Sequence, residues 1–346
     1  MKVLLFGLGS IGQRHARILK QVLGDGVELG AFRQWGRKLV INDDLSVIEG
    51  VDPAEHWGVR SFSRLEDAFA WSPVAAFVTN PISMHVESAR RAVDAGCHVF
   101  IEKPLSHTDD GVTDLAGAAA ARRLTLAVGY QLRHHPALAL IRSRIEEGAI
   151  GRVCAVDMEF GEYLPTMHAY EDYRETHMAR RDQGGGAILC LSHEIDAMCW
   201  LFGTPQSVLS VGGHLSDLEL SGVEDVATML FTGGQGGRRV PMRVHLDFLQ
   251  RPPRRRYKIV GDAGSIEFDY HQRELVLATP AGRDVTSFAS WHRNQMFETE
   301  VAEFMACVRG ERDPAPFLEA ALATHRTCMA ALRSLASGAQ ASILKA

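Results

Sequence analysis

The sequence predicts an α/β chain in two parts: a doubly wound parallel sheet at the N-terminus, then an α+β domain built on an open, mainly antiparallel sheet. Three observations predict this. A short apolar run, Lys2 to Phe6, passes through Gly7-Leu8-Gly9-Ser10-Ile11-Gly12 into a helical stripe at His15, Ile18, Leu19 and Val22. Buried strand patterns then alternate with helical ones as far as Gly129. From Arg152 onward, alternating runs follow one another without helices between them, which indicates antiparallel pairing. With 346 residues and 46% hydrophobic content the chain can build two cores. The boundary is expected near Val128, giving domains 1–128 and 129–346.

The net charge of −5 comes from mixed acids and bases without a long basic run, so no nucleic-acid partner is expected. The basic cluster Arg251 to Lys258 (RPPRRRYK) reads as a turn leading into a solvated strand edge. Met1 to Phe6 is too short for a signal segment or a membrane span, so a cytoplasmic protein without a membrane partner is expected. Six cysteines without a CxxC pair fit reduced thiols, not a zinc ribbon or disulfide framework.

In chain order, the first element is strand, glycine turn, helix. Gly7, Gly9 and Gly12 permit a tight turn and close approach of a pyrophosphate, whose charge would meet the free N–H groups of the first helical turn around Ser10 and Ile11. The second strand, Val27 to Phe32, ends in Phe32 and Arg33 where an NAD site usually carries an acid. An arginine there suits a 2′-phosphate, so NADP is expected, with NAD possible. Residues 34–58 are irregular and read as a helix with loops. Ser63-Arg64-Leu65-Glu66 has the pattern of a capping box opening the next helix.

A buried strand, Val74 to Val78, ends in Thr79-Asn80-Pro81, a loop expected to face the cofactor. Ser83 can cap the helix His85 to Ala95, and His85 is either a cofactor contact or a capping or packing histidine. Strand His98 to Leu105 (HVFIEKPL) places Glu102, Lys103 and Pro104 at its C-terminal edge, where open α/β sheets bind ligands. A lysine partly desolvated there, near a positive nicotinamide ring, could exchange protons near neutral pH; the plainer alternative is a surface lysine. The helix Asp109 to Arg123 and a sixth strand, Leu124 to Gly129, complete six β-α units. Tyr130-Gln131-Leu132-Arg133 follows at the junction, where Gln131 and Arg133 can turn polar groups toward the cleft.

The second domain opens with a helix, Pro136 to Glu147. Its strands are VCAVDMEFG, PMRVHLDF, RYKIVGDAGSIEFDY with a turn at Asp262-Ala263-Gly264, and ELVLAT; helices Met296 to Val308 and Leu318 to Ser337 close it. Gly184-Gly185-Gly186 precedes a helix with a core stripe at Ile188, Leu191, Ile195 and Met198. Leu189, His193, Asp196 and Trp200 share another face, so His193 is presented off the core. It can be a functional group or a structural histidine paired with Asp196 or Glu194. A metal site from His193, Cys190 and Asp196 lacks a further ligand at convincing spacing, and no metal is expected.

With Gly7, Gly9 and Gly12, the triplet Glu102-Lys103-Pro104 about ninety residues later, and the GGG-helix carrying His193, the chain resembles the glucose-fructose oxidoreductase / inositol dehydrogenase (Gfo/Idh/MocA) family over nearly its whole length. The resemblance implies a dinucleotide-binding Rossmann domain, a catalytic pair Lys103 and His193, and Glu102 as a cofactor contact, beside the other expected cofactor contacts Thr79, Asn80, Pro81, His85 and Gln131. The segment Tyr163-Leu164-Pro165, with His168 and Asp172-Tyr173-Arg174, resembles the branch found among enzymes of amino-sugar and surface-sugar synthesis. That implies a sugar, sugar phosphate or nucleotide sugar as substrate, met by Lys103, Arg133, Tyr163, His168, Tyr173, Arg174 and His193; the loop could instead form subunit contacts. One departure stands out. Many members carry an acid three or four residues before the helix histidine, where this chain has Cys190 and Leu189, so either Asp182, Glu194 or Asp196 supplies the support or the chemistry is altered or lost.

The expected function is a dehydrogenase or reductase acting on a sugar-type alcohol or ketone. The alternatives are a dinucleotide-binding sensor without turnover, as a galactose-pathway repressor of this family is, or an NAD-assisted lyase or glycosidase that oxidises its sugar transiently. The open sheet face predicts a homodimer or homotetramer.

Overall fold

The computed structural model describes residues 1–34, 36–233 and 239–343. The chain divides into two compact units, Met1–Tyr130 with Arg293–Ala321, and Gln131–His292 with Leu322–Ala346.

The first unit runs β1 (Lys2–Phe6), α1 (Ser10–Leu23), β2 (Glu28–Phe32), β3 (Leu39–Ile41), β4 (Val47–Glu49), α2 (Pro53–Trp57), β5 (Arg60–Phe62), α3 (Leu65–Ala70), β6 (Ala75–Val78), α4 (His85–Asp94), β7 (His98–Glu102), α5 (Val112–Ala121) and β8 (Leu126–Gly129). Among the described residues its main sheet has six strands in the order β5-β2-β1-β6-β7-β8. Every pairing is parallel. Strand order reverses at β1/β6, and the carboxyl ends beside such a reversal form the ligand crevice of doubly wound sheets.

Two stretches differ from the sequence reading. Strand β5 passes unread because it is three residues long, with its register confined to Gly30, Ala31 and Phe32 of β2. The stretch 34–58, whose residue 35 lies outside the described residues, is not a helix with loops where it is described: β3 and β4 make an antiparallel hairpin, and α2 is one short helix. Gln13 of α1 holds this insertion. Its Nε2 donates to the Leu8 and Leu39 carbonyls at 3.1 and 3.0 Å, while its Oε1 accepts from Ile41 N and Trp57 Nε1 at 2.9 and 3.0 Å. The serine caps are also corrected: α3 is preceded by Arg64 and α4 by Met84, and neither helix has a side-chain cap.

The core of this unit is built on the inner strands, with Phe77 and Phe100 stacked at 4.7 Å. The helix Asn294–Val308, expected to close the second domain, joins this core instead. Its Phe297, Val301, Phe304 and Met305 pack with Ile18, Leu19, Phe77 and Phe100. A single cut near residue 128 therefore does not describe the division.

The second unit contains α6 (Pro136–Glu146), β9 (Val153–Gly161), α7 (Leu164–Met167), α8 (Ala187–Cys190), α9 (His193–Phe202), β10 (Ser207–Gly213), β11 (Val226–Gly233), β12 (Val240–Asp247), β13 (Arg254–Gly261), β14 (Ser265–Asp269), β15 (Glu274–Thr279) and β16 (Gly282–Ser287). After α10 (Asn294–Val308) of the first unit come α11 (Ala315–Ser337), shared between the units, and β17 (Ala341–Ser342). Among the described residues its nine strands are ordered β16-β15-β14-β13-β9-β12-β11-β10-β17, antiparallel except for the parallel pair β9/β12. Val156, Met158, Met242, Val244, Tyr257, Ile259 and Phe268 are buried on one face.

The basic cluster is not an edge. β13 lies between β9 and β14, and the two-residue period of a strand splits its cations between the faces. Arg255 is buried with Tyr257, whereas Arg256 pairs with Asp269 at 2.5 Å, Lys258 with Glu267 at 2.8 Å, and Arg254 with Glu159. Cross-strand acids on β9 and β14 let a basic run occupy the interior of a sheet.

Candidate active site

In the first unit the glycine turn fits a dinucleotide. Gly7 has φ +102°, a value few side chains tolerate. A Cβ on Gly12 would lie 2.5 Å from the Gly7 carbonyl oxygen, so the helix must start close to the turn. A Cβ on Gly9 would meet nothing within 4 Å, which leaves the approach to the helix start open. α1 has no side-chain cap and no acid in its first turn. Its first N–H groups, including those of Ser10 and Ile11, and its positive dipole end therefore suit a pyrophosphate.

Thr79, after β6, donates from Oγ1 to the Phe6 and Gly7 carbonyls at 3.1 Å each, tying its loop to the turn. Asn80 Nδ2 donates to Ser88 Oγ at 2.8 Å, and Pro81 is exposed. His85 is buried, with Nδ1 2.8 Å from the Pro104 oxygen and Nε2 2.9 Å from the Asn80 oxygen. Burial pushes its imidazole below the ordinary histidine range, against the pull of those two carbonyls. Of the two roles expected for His85, this geometry is that of a packing histidine joining the loops after β6 and β7.

β7 ends in Glu102, and Lys103 follows, half-buried, with a cis bond to Pro104. The Glu102 carboxylate turns inward: Oε1 lies 2.6 Å from His15 Nε2 of α1, and Oε2 accepts from Lys103 N at 3.2 Å. His15 was missed as a functional residue. A histidine on the apolar stripe with Ile18 and Leu19 requires a buried polar partner, and that was the available signal. Arg33 is likewise engaged. Its Nη1 lies 2.7 and 3.0 Å from the two oxygens of Asp52, also missed, although Asp-Pro is a helix-start pattern.

In the second unit the helix after Gly184–Gly186 is broken at Leu191 and Ser192 into α8 and α9. His193 opens α9 and is only 7% exposed, so its side of the helix is not off the core: Leu189 and Asp196 are buried as well. His193 Nε2 lies 3.3 Å from Gln131 Nε2. Arg133 donates from Nε to Asp196 Oδ2 at 2.7 Å and also pairs through Nη2, while Thr324 Oγ1 donates to Asp196 Oδ1 at 2.8 Å. Burial pushes the Asp196 carboxyl up, and Arg133 pulls it back. Glu194 faces Arg255 at 2.7 Å and accepts from Tyr257 Oη at 3.0 Å. Asp182 pairs with Arg180 at 2.9 Å on the surface. The three acids considered as support for His193 thus each hold a different partner, and Cys190 is buried.

The loop residues each hold a partner. Tyr163 stacks under the Arg251 guanidinium at 3.9 Å, and His168 lies 3.3 Å from Glu171. Tyr173 Oη accepts from Glu219 N at 3.1 Å, and Arg174 pairs with Asp172 and Glu219 at 2.6 and 3.0 Å. Among the described residues, no group of three or more His, Cys, Asp or Glu could hold a metal ion, and no helix is long and apolar enough to cross a membrane.

Residues 1–130 match the model of an oxidoreductase family with an NAD-binding Rossmann fold, and residues 138–267 match the GFO/IDH/MocA C-terminal domain. A 1,5-anhydro-D-fructose reductase of Ensifer adhaerens is 25% identical over 328 residues, covering 91% of this chain and 94% of the relative. The structure of a levoglucosan dehydrogenase in complex with NADH is similar with a TM-score of 0.80 at 19% identity, covering 100% of both chains. The WlbA dehydrogenase from Bordetella pertussis, in complex with NADH and UDP-GlcNAcA, is similar at 0.78 and 21%, covering 100% of this chain and 99% of that one. With both of its domain models matched in order on the two sheets just described, the chain belongs to the Gfo/Idh/MocA family of NAD-binding oxidoreductases.

Proposed function

We propose that this protein is a nicotinamide-dependent dehydrogenase or reductase of a sugar, sugar phosphate or nucleotide sugar, working in the cytoplasm. The observation that carries the reading lies within one unit: an open glycine turn at the head of α1 and Lys103 at the carboxyl edge of β7, on a sheet whose order reverses between β1 and β6. Bound nicotinamide would accept or deliver the hydride at C4. The chain's own contribution is the proton. Lys103 is assigned the proton of the reacting hydroxyl and His193 its support, a positioned acid–base contribution of ~10²–10⁴ in rate.

Gly7, Gly9, Ser10, Ile11 and Gly12 are assigned to the pyrophosphate, with Thr79, Asn80 and Pro81 lining the next loop. Glu102 acts through the placement of Lys103. Arg133 is assigned to holding α9, and Tyr163, His168, Tyr173 and Arg174 to a polyhydroxylated substrate or to a subunit contact. Both NAD and NADP fit this chemistry, and NADP depends on Arg33 being free to meet a 2′-phosphate.

The sugar-type substrate is supported by the relatives, a reductase of 1,5-anhydro-D-fructose and a levoglucosan dehydrogenase among them. A homodimer or homotetramer through the outer sheet face is supported by Leu209 and Leu230, exposed directly opposite one another on β10 and β11, with Val211 beside them. A monomer by light scattering at micromolar concentration would contradict it. The activity is tested by following nicotinamide absorbance over a panel of sugars, sugar phosphates and polyols with both cofactors. Substrate-dependent change supports the reading, and tight cofactor binding without net turnover contradicts it in favour of the sensor or the transient-oxidation lyase.

A further inference from the structure

Arg33 is the first residue after β2, and its backbone is fixed at the carboxyl edge of the sheet. Gly7 N donates to the Phe32 carbonyl at 3.1 Å, and Arg33 N donates to the Phe62 carbonyl at 3.0 Å. A side chain at this position in a doubly wound sheet meets the adenosine ribose of a dinucleotide. An arginine there reads as a 2′-phosphate partner only if its guanidinium can reach the phosphate.

The guanidinium is already engaged by the protein. Both Asp52 oxygens face Nη1, at 2.7 and 3.0 Å, with Ser61 Oγ at 3.4 Å, and Nη2 donates to the Arg37 carbonyl at 3.3 Å. The pair is largely withdrawn from water, with Arg33 at 9% and Asp52 at 22% side-chain exposure. Nor is Asp52 a mobile surface acid. Its Oδ1 accepts from Ala54 N at 2.7 Å as the N-cap of α2, Pro53 fills the first helical position, and Gly58 closes the helix in the left-handed region. Burial pushes the Asp52 carboxyl up, but the bonds from Arg33 and Ala54 N outweigh it and hold the group below its ordinary value, ionised.

We propose that Asp52, nineteen residues beyond the position usually read for cofactor choice, is the specificity-determining residue of this site: by holding Arg33 it selects NAD over NADP. A 2′-phosphate would have to draw Arg33 away from Asp52, breaking a partly buried pair, or lie close to a carboxylate of like charge. The 2′-hydroxyl of NAD carries no charge, requires no free guanidinium and can donate to a carboxylate. The acid that β2 lacks is thus supplied by the cap of α2, and the β3–β4 insertion fastened by Gln13 precedes it in the chain. This inference rests on the nicotinamide-dependent reading above.

The test is binding of NAD⁺ and NADP⁺ to the full-length protein by calorimetric titration, in the wild type and in Asp52→Asn and Asp52→Ser. Both replacements keep a side chain that can cap α2. The wild type is expected to bind NAD⁺ at least about tenfold more tightly than NADP⁺, and each variant to shift the ratio toward NADP⁺ by about tenfold or more, the scale of one hydrogen bond to a charged group. Adding Arg33→Ala to either variant should cancel the gain. A wild type that prefers NADP⁺, or a ratio unmoved in both variants, overturns the role of Asp52 while leaving the nicotinamide-dependent reading intact. A wild type that binds neither dinucleotide overturns both.

Discussion

His15 Nε2 and Glu102 Oε1 lie 2.6 Å apart inside the first unit, joining the helix that follows the glycine turn to the strand that delivers Lys103. The rings of Phe77, Phe100 and Phe297 surround His15 at 5.2 to 6.0 Å, and the residue is 0% exposed. Replacing it with Leu would leave the Glu102 carboxylate buried without this partner. His15→Leu is expected to cost about 1.5–3 kcal/mol, the range for a hydrogen bond to a charged group. His15→Gln, which retains a donor, should cost less. Urea unfolding at pH 7 measures both, and a loss below ~1 kcal/mol for the Leu variant would show that Glu102 does not depend on His15.

His135 gives the stability of the second unit a pH dependence. Its Nδ1 accepts from Ala137 N at 3.0 Å, capping α6, and its ring lies 4.1 Å from that of Trp291. Burial, aided by the Arg255 charge, lowers its pKa from 6.5 to about 4. The folded state thus resists a proton that the unfolded chain accepts. Stability from this group is complete above pH ~6.5 and is lost as pH falls toward ~4, by about 3 kcal/mol in all. His135→Asn keeps a cap but does not titrate, so its stability curve should fall less over this range than that of the wild type. Parallel curves for the two proteins would contradict the assignment.

Cys190 lies one turn before His193 and is 5% exposed. Its position bears on the acid missing from the family pattern. Cys190→Asp places a carboxylate in a packed site, and a loss of about 3 kcal/mol or more is expected. If that variant melts like the wild type and its pH–rate profile moves upward, the carboxylate is accommodated and acts on His193.

The elements that carry the proposed site are legible because each rests on local sequence. The glycine turn, the strand ending in Glu102-Lys103-Pro104 and the helix after Gly184–Gly186 depend on residues adjacent in the chain. What could not be read depends on partners far away. Arg255 is buried because Glu194 meets it, Arg33 is held by Asp52 across a hairpin insertion, and α10 packs on α1 nearly three hundred residues earlier. β5 is too short for a period to show. One straight helix over residues 187–202 would put His193 off the core, whereas the break at Leu191 and Ser192 and the packing around it bury both sides.

Lys103 is proposed to handle the substrate proton while the glycine turn holds the cofactor. Lys103→Met separates the two, compared with the wild type for turnover of an established substrate and for dinucleotide affinity. Turnover is expected to fall by ~10² or more, the contribution of a positioned acid–base group, with dinucleotide affinity within about tenfold of the wild type. Near wild-type turnover in Lys103→Met would contradict the account.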